Sequence, residues 1–237
     1  MLSVVIPAYN EEKIIGRTLP ILSDTLNTSG IDFEIIVVND YSTDKTAEIV
    51  LSVKAKEARV FLIDNKYEKG YGSTCISGIE NANGDCIAFF MADLSDSPGD
   101  LIKFHTKLKS SVCDMVFGNR WSGNSRVVGY PFFKWVTNRL ANHLISFIFG
   151  LKYYDITNGF KLYKKNVIQS LQPFKAKQFN FALELPLRAV MAGYKFEVVE
   201  NSWENHLPEK SNFRLLNMSG KYLRTLIDCI KQKYCRK

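Results

Sequence analysis

The sequence has few of the residues on which nucleophilic and structural metal sites most often depend. Its three histidines are widely scattered, which argues against a histidine-based zinc site or a Ser-His-Asp triad. None of its five cysteines forms a Cys-x-x-Cys pair, so we expect reduced core cysteines in a cytosolic protein. Gly70-Tyr71-Gly72 lacks the third glycine of the dinucleotide fingerprint, and no Walker sequence is present.

Long apolar segments are also absent. The run from Leu2 to Ala8 is too short for a signal peptide and has no basic residues before it. The run from Leu144 to Gly150 falls far short of the roughly 20 residues that cross a bilayer. We therefore expect neither a leader nor a spanning helix, and any contact with a membrane would be at its surface.

Acidic residues are outnumbered, with 24 Asp and Glu against 31 Lys and Arg, for a formal charge of +7. This balance favours an anionic partner, which could be nucleic acid, a phosphorylated small molecule or an anionic membrane. Charge alone does not choose among them. The length of 237 residues, 46% of them hydrophobic, suits one domain with a small appendage.

Apolar, β-branched runs alternate with amphipathic helical patterns in the first half of the chain. Such strand–helix–strand units imply a parallel sheet with right-handed crossovers. The sequence therefore predicts a Rossmann-like α/β layer over residues 1 to 120. The predicted strands are Leu2 to Ile6, Phe33 to Val38, Arg59 to Ile63 and Cys86 to Met91, and the predicted helices begin at Asn10, span Thr43 to Ala58 and begin near Gly70.

Two long amphipathic patterns follow in the second half. The first, Phe132 to Phe149, has cations interleaved with its apolar residues, and it is interpreted as a core-facing helix or as a face resting on lipid headgroups. The second, Phe213 to Cys235, has a basic face that suits either solvent or an anionic membrane. The first pattern contains Phe132, Val136, Leu140, Leu144, Phe147 and Ile148, with Lys134, Arg139 and His143 between them. The sequence also predicts two shorter strands, at Phe160 to Tyr163 and Phe196 to Val199, which flank a helix near Phe181 to Ala192.

Acidic side chains follow three of the predicted strands. Glu11-Glu12 follow the first, Asp40 the second and Asp93 the fourth. Because the carboxyl ends of parallel strands meet at one edge, we expect these carboxylates to converge. Such a cluster needs a cation, and Mg²⁺ or Mn²⁺ bound together with a nucleotide diphosphate would supply it. Asp96 is instead expected to cap the helix that begins near Pro98.

Several blocks of sequence form a specific pattern when they are taken together in order. With these blocks the chain resembles a family-two glycosyltransferase of the GT-A fold, most closely the dolichyl-phosphate mannose synthase-like and polyprenyl-phosphate sugar transferase branch. The blocks are Ser3 to Glu12, Glu34 to Thr46, Met91 to Pro98, Gly118 to Arg120, Asn138 to Asn142, Thr157 to Lys161 and Glu184 to Pro186.

The resemblance implies an α/β GT-A domain over residues 1–237, with a mainly parallel central sheet and helices on both faces. Residues 1–120 would form the nucleotide-sugar-binding half and residues 121–211 the acceptor-side half. Residues 212–237 would form a basic amphipathic helix. The resemblance is specific for the family but does not identify the sugar.

The resemblance also implies roles for individual residues. The donor would lie at the sheet edge, with the metal bridging its diphosphate. The implied donor-binding residues are Pro7, Tyr9 and Glu11 beside the base and ribose and Asp40 near the base; Asp93 binds the metal; Asp93, Arg120 and Arg139 are the catalytic set, with the two arginines near phosphates; Lys210 and Arg214 lie over the donor or acceptor.

One departure from the family pattern concerns the metal. Relatives usually present Asp-x-Asp, and this chain has Met91 in place of the first Asp. The ion is then expected on Asp93, with Ser95 or Asp96 reached through water and with the diphosphate itself.

The activity that the resemblance implies is inverting transfer of a hexose from a nucleotide diphosphate sugar to a polyprenyl (dolichyl-type) phosphate. A phosphate nucleophile is already anionic and needs no general base. The expected location is the cytoplasmic face of a membrane, with peripheral contact or a separate anchoring protein. Nucleic acid is not expected as a partner, since nucleic-acid binding would not explain the acids after successive strands.

Two other functions stay open. A glycan or glycolipid hydroxyl acceptor would need a base, for which Asp96 and Glu184 are the candidates. Glu184 also suits an ion pair with Arg188 four residues on. A catalytically silent nucleotide-sugar-binding module is the other alternative, and Met91 makes it conceivable.

Overall fold

The computed structural model describes residues 1–206 and 215–235. In these residues a seven-stranded sheet has the order β3-β2-β1-β4-β7-β5-β8, and β7 alone is antiparallel to its neighbours. A small parallel pair, β6 and β9, lies apart from it. The strands are β1 Leu2–Ala8, β2 Phe33–Asn39, β3 Val60–Asp64, β4 Cys86–Phe89, β5 Met115–Asn119, β6 Val127–Val128, β7 Lys161–Lys164, β8 Phe196–Glu200 and β9 Trp203–Glu204.

Helices cover both faces of the large sheet, as predicted. Successive residues of a strand point to opposite faces, so Val4 and Val5 of β1 belong to different buried clusters. Residues of α1 and α4 pack into one cluster, and residues of α3 and α7 into the other. The helices are α1 Ile15–Thr28, α2 Thr46–Lys54, α3 Tyr71–Asn81, α4 Pro98–Ser110, α5 Phe132–Phe149, α6 Lys165–Ser170, α7 Phe181–Met191 and α8 Leu215–Cys235.

The predicted α/β class and mainly parallel sheet are confirmed, but two predicted helix starts are wrong. Asn10 does not begin α1: it has φ of 56°, and its Oδ1 accepts a hydrogen bond from the amide of Thr43. The second helix is shorter than predicted, because residues 43–45 join this loop contact instead. Strand β5 was not predicted.

The interpretation of α5 as a core-facing helix is only partly right: its predicted bounds agree with the structure and Ile145 and Phe149 are buried in the core, but most of the predicted apolar face is exposed. Its apolar residues Phe132, Leu140, Leu144 and Phe147 are exposed, whereas Asn142 and Ser146 are buried. No helix in the described ranges combines the length and apolar character that crossing a bilayer requires. The division of the chain into donor and acceptor halves stays a prediction.

Candidate functional site

The loops after β1 and β2 are joined by side-chain hydrogen bonds at the carboxyl edge of the sheet. Ser42 Oγ accepts a bond from the amide of Asn10 at 3.1 Å, and Thr46 Oγ1 accepts one from the amide of Glu11 at 2.8 Å. The left-handed backbone at Asn10 suits this residue type, which adopts positive φ more readily than most. These bonds hold Glu11 at the start of the site.

Glu11 and Asp93 lie close enough to repel each other, as their positions after β1 and β4 predict. Burial, followed by the charges of Asp93 and Asp44, raises the pKa of Glu11 to about 7. The negative charge at this point of the edge is therefore not fully compensated by protein cations, and it suits a bound cation.

The backbone turns sharply after β4 and places Asp93 and Ser95 side by side. Leu94 has φ of 57°, and the amide of Ser95 donates to Asp93 Oδ1 at 2.9 Å. In the described ranges no group of three or more His, Cys, Asp or Glu side chains is arranged to hold a metal ion. The oxygen atoms of Asp93 and Ser95 fit a hard divalent ion only if the substrate supplies most of the ion's other ligands, as diphosphates commonly do for Mg²⁺.

Asp96 is not the helix cap that the sequence predicted. Ser97 occupies the N-cap position of α4, and the backbone of Asp96 pairs with Trp203. The Asp96 side chain is buried, and burial together with the charge of Asp93 raises its pKa to about 8. Arg120 lies near enough to oppose this rise.

Asp40 forms hydrogen bonds with backbone and amide groups instead of joining Glu11 and Asp93. Both of its carboxylate oxygens accept bonds from the amide of Gly70, at 3.0 and 3.2 Å, and Oδ1 accepts another from Asn65 at 2.7 Å. The expected convergence of all the strand-end acids is thus only partial. Asp40 fixes the loop before α3, and its place near a nucleotide base stays a prediction.

Lys69 extends this part of the edge and was missed by sequence reasoning. Its ammonium lies 3.2 Å from the centre of the Tyr9 ring, within cation–π range. Tyr9 follows β1, which contains Pro7, so the proposed donor side holds an aromatic ring and a cation together. No local sequence signal links Tyr9 and Lys69, because they are 60 residues apart in the chain.

Arg120 is held by a buried carboxylate that the sequence did not point to. Its amide and Nε each donate to Asp155 Oδ2 at 3.0 Å, and its terminal nitrogen donates to Oδ1 at 2.8 Å. Both side chains are buried. Such a two-pronged pair fixes the plane of the guanidinium, and the Asp155 charge and hydrogen bonds hold the pKa of Arg120 above its usual range.

Three cations surround the rings of Trp121 and Tyr130. The Arg120 guanidinium carbon lies 5.7 Å from both ring centres, that of Arg139 lies 5.7 Å from Trp121, and Lys134 Nζ lies 5.3 Å from Tyr130. Trp121 Nε1 is buried and has no hydrogen-bond partner in the described part of the chain. We call Arg120, Lys134 and Arg139 the cation cluster.

Lys134 of the cation cluster lies within electrostatic range of Asp93. Burial and the nearby Arg120 lower the pKa of Lys134, and the charge of Asp93 opposes this shift. In the sequence, Lys134 is only one of the cations interleaved in the helical pattern, and no role at the site is predicted for it. Its position in the first turn of α5, directly after the loop that contains Tyr130, brings it to the site.

Glu184 is not available as a general base. Its carboxylate accepts bonds from the amides of Lys175 and Ala176, and Arg188 donates to it at 3.0 Å. The side chain is buried among these partners, so the ion-pair interpretation is confirmed. Two other predicted site residues, Lys210 and Arg214, lie outside the described residues.

Comparisons with known proteins agree with this fold. Residues 3–172 match the family model described as Glycosyl transferase family 2. Glycosyltransferase AglD of Haloferax volcanii is 28% identical over 228 residues, covering 94% of this chain and 36% of the relative. Dolichol-phosphate mannosyltransferase of Pyrococcus furiosus is 30% identical over 173 residues, covering 72% of this chain and 48% of the relative. The chain thus spans about a third to a half of these curated relatives.

Solved structures of glucosyl-3-phosphoglycerate synthase from Mycobacterium tuberculosis have the same fold. One, in complex with phosphoglyceric acid, superposes with a TM-score of 0.74 at 19% identity, covering 98% of this chain and 79% of that one. Another, with Mn²⁺, uridine diphosphate and phosphoglyceric acid, has a TM-score of 0.73 at 17% identity and covers 98% and 78%. At such identities the likeness establishes the GT-A fold.

Proposed function

The chain belongs to glycosyl transferase family 2 and is a glycosyltransferase, and from that premise we propose that it transfers a hexose, with inversion, from a nucleotide diphosphate sugar to a polyprenyl phosphate. The reaction would take place at the cytoplasmic face of a membrane. The observation that carries the proposal is the cation cluster beside Asp93, which suits two phosphate groups in one site.

The donor would lie along the carboxyl edge of the sheet. Pro7, Tyr9 and Glu11 would contact the base and ribose, with Asp40 fixing the neighbouring loop. Asp93 and Ser95 would hold a Mg²⁺ or Mn²⁺ ion, which supplies positive charge to the departing diphosphate. Solved relatives that contain Mn²⁺ together with uridine diphosphate support a divalent ion in this role.

The acceptor phosphate would lie between the cation cluster and the anomeric carbon. Arg120, with its plane fixed by Asp155, and Arg139, bonded to the carbonyl of Tyr154 at 2.7 Å, are positioned before a ligand arrives. Trp121 Nε1, which is buried without a hydrogen-bond partner among the described residues, would be a further donor for a phosphate oxygen. Because a phosphate is already a nucleophile, the chain's residues need only hold it in line. Lys210 and Arg214 remain proposed contributors.

A relative supports the lipid acceptor. The dolichol-phosphate mannosyltransferase of Pyrococcus furiosus matches 72% of this chain. A second candidate is a small phosphorylated acceptor, which the phosphoglyceric acid in the solved relatives favours. The same cation cluster would bind its phosphate, and its attacking hydroxyl would need a base, for which Asp96 is the remaining candidate.

The test measures where the labelled sugar goes. The chain is incubated with Mn²⁺, a panel of radiolabelled nucleotide sugars and either a polyprenyl phosphate or phosphoglyceric acid. We expect label in the organic phase with the lipid acceptor, and about a 100-fold loss of rate in Asp93→Ala. Asp24→Ala, which removes an exposed carboxylate of α1, is the matched control and should leave the rate unchanged.

The other possible outcomes of this experiment would support the alternative functions. Label only in a water-soluble product would move the acceptor assignment to the phosphorylated small molecule. A donor that raises the melting temperature with no turnover on either acceptor would support the silent binding module, since ligands that bind the folded state stabilise it.

A further inference from the structure

Helix α5 packs on the protein through Asn142, Ile145, Ser146 and Phe149, whereas most of its other large apolar residues face outward. Asn142 is 0% exposed, and its amide donates to Asn138 Oδ1 and Thr157 Oγ1 while its oxygen accepts a bond from the amide of Thr157. Phe133 and Phe147, in contrast, are 81% and 85% exposed. The outer side of a helix at the surface of a water-soluble domain is normally polar.

All but one of the large exposed apolar side chains of α5 form one strip. At 3.6 residues per turn they fall within an arc of about 120° of the helix circumference, with Trp135 outside it, and the 18-residue helix is roughly 27 Å long. We call this strip the outer face of α5. It consists of Phe132, Phe133, Leu140, Leu144 and Phe147. An exposed apolar strip of this length marks an interaction surface.

The end of α5 is in contact with α8, which has exposed apolar residues of its own. Lys233 Nζ and the Tyr234 hydroxyl both donate to the carbonyl of Ile148, at 2.9 and 3.3 Å, so the ends of the two helices are in contact. Leu223 and Ile227 of α8 are also exposed.

The charged residues of α5 and α8 indicate which kind of partner fits the outer face of α5. Helix α5 contains no Asp or Glu but has Lys134, Arg139 and His143, and α8 has four Lys and Arg against the single acid Asp228. A second copy of this chain packed on the outer face would bring like charges together, which is unfavourable. An anionic lipid surface instead complements both the apolar strip and the cations.

We infer that the outer face of α5 docks on an anionic lipid bilayer and lies in its interfacial plane. The inference deepens the proposed function, since it rests on a lipid-borne acceptor. Lys134 and Arg139 belong to the same helix and also to the cation cluster, so docking would hold the acceptor side of the site at the level of the lipid phosphates. The polyprenyl phosphate would then reach the cation cluster with its chain still in the bilayer.

Vesicle sedimentation tests this surface. The purified chain is mixed with phosphatidylcholine vesicles that contain about one third phosphatidylglycerol, or none. Leu144→Gln/Phe147→Gln removes two outer-face side chains without a change of charge and lies away from the cation cluster. Leu51→Gln/Val112→Gln is the matched control, because these residues are also exposed, at 52% and 88%, but lie outside α5 and α8.

We expect the wild-type chain and the control to bind the anionic vesicles. The outer-face variant should bind at least about tenfold more weakly, which corresponds to the loss of part of two inserted side chains. Binding should weaken in high salt, since the electrostatic part is screened. Transfer to a water-soluble short-chain prenyl phosphate should be the same in all three proteins, which shows that the variants are folded.

Three results would overturn the inference. These are no vesicle binding by the wild-type chain, equal binding by the outer-face variant, or a dimer in solution that this variant abolishes. These results can be told apart from a failure of the proposed function. Vesicle binding without any transfer would support the docking surface and contradict the polyprenyl phosphate acceptor. Transfer to the short-chain acceptor without vesicle binding would support the acceptor and contradict the docking surface.

Discussion

At the scale of single residues, the acidic side chains at and around the site differ mainly in the groups that pair with their carboxylates. Asp155 is paired with Arg120, Glu184 with Arg188, and Asp40 with backbone and amide donors. Glu11 instead lies within electrostatic range of Asp93, and burial together with the charges of Asp93 and Asp44 raises its pKa to about 7. The sheet edge therefore has one point where negative charge exceeds positive charge. Met91 lies two residues before Asp93, partly buried against the core.

Restoring an acid at position 91 tests whether a divalent ion binds at this strand end. In Met91→Asp a second carboxylate would add charge and a ligand, so we expect Mn²⁺ to support transfer at a lower concentration than in the wild-type chain. Titration of Mn²⁺ against the rate, and calorimetry of Mn²⁺ with a nucleoside diphosphate, both measure this.

Met91→Leu is the control for the loss of the thioether packing and should keep the wild-type metal requirement. An unchanged requirement in Met91→Asp would count against an ion beside Asp93. The variant is also expected to lose some stability, because the new charge would replace a side chain that packs on apolar residues.

At the scale of elements, the extent of α5 was predictable from the sequence, but the side that it turns toward the core was not. The bounds of α5 follow from local periodicity, with Gly150 in a left-handed conformation at its end. Which side faces inward depends on Asn142 meeting Thr157, fifteen residues away. For the same reason the sequence pointed to Arg120 but not to its partner, which is distant in the chain. Local pattern cannot show contacts of that kind.

The polar inner side of α5 gives a prediction of its own. Asn142→Ala would leave the partly buried amide of Thr157 without its acceptor, so we expect a loss of about 1–3 kcal/mol in the free energy of unfolding. Thr137→Ala removes a polar side chain from the exposed part of the same helix and should change stability by less than about 0.5 kcal/mol. Urea denaturation of both variants measures the difference, and equal effects would mean that the Asn142–Thr157 contact does not anchor the helix.

At the scale of the whole molecule, the chain buries a further charged side chain, Lys161, near the Arg120–Asp155 pair. Lys161 of β7, the single antiparallel strand of the large sheet, is fully enclosed, and its ammonium donates to the carbonyls of Ile156 and Asn158. These bonds brace the segment that contains Asp155, and hence the position of Arg120. Burial lowers the pKa of Lys161 to about 7, an effect that the charge of Asp155 opposes.

This lysine should make the stability of the fold depend on pH in a defined direction. Between pH 7 and about 10.4 the unfolded chain holds a proton on Lys161 that the folded chain has released. Stability rises with pH wherever the unfolded state binds more protons, so the contribution of Lys161 should increase from pH 7 to pH 10 and decrease as pH falls back toward 7.

The variant Lys161→Met lacks this pH dependence. The free energy of unfolding of the wild type minus that of the variant should therefore increase as pH rises. Lys152→Met, at an exposed position, should show a difference that does not vary with pH over this range. Urea unfolding at pH 7, 8.5 and 10 measures both differences, and a flat difference for Lys161→Met would show that Lys161 stays charged in the fold, held so by Asp155.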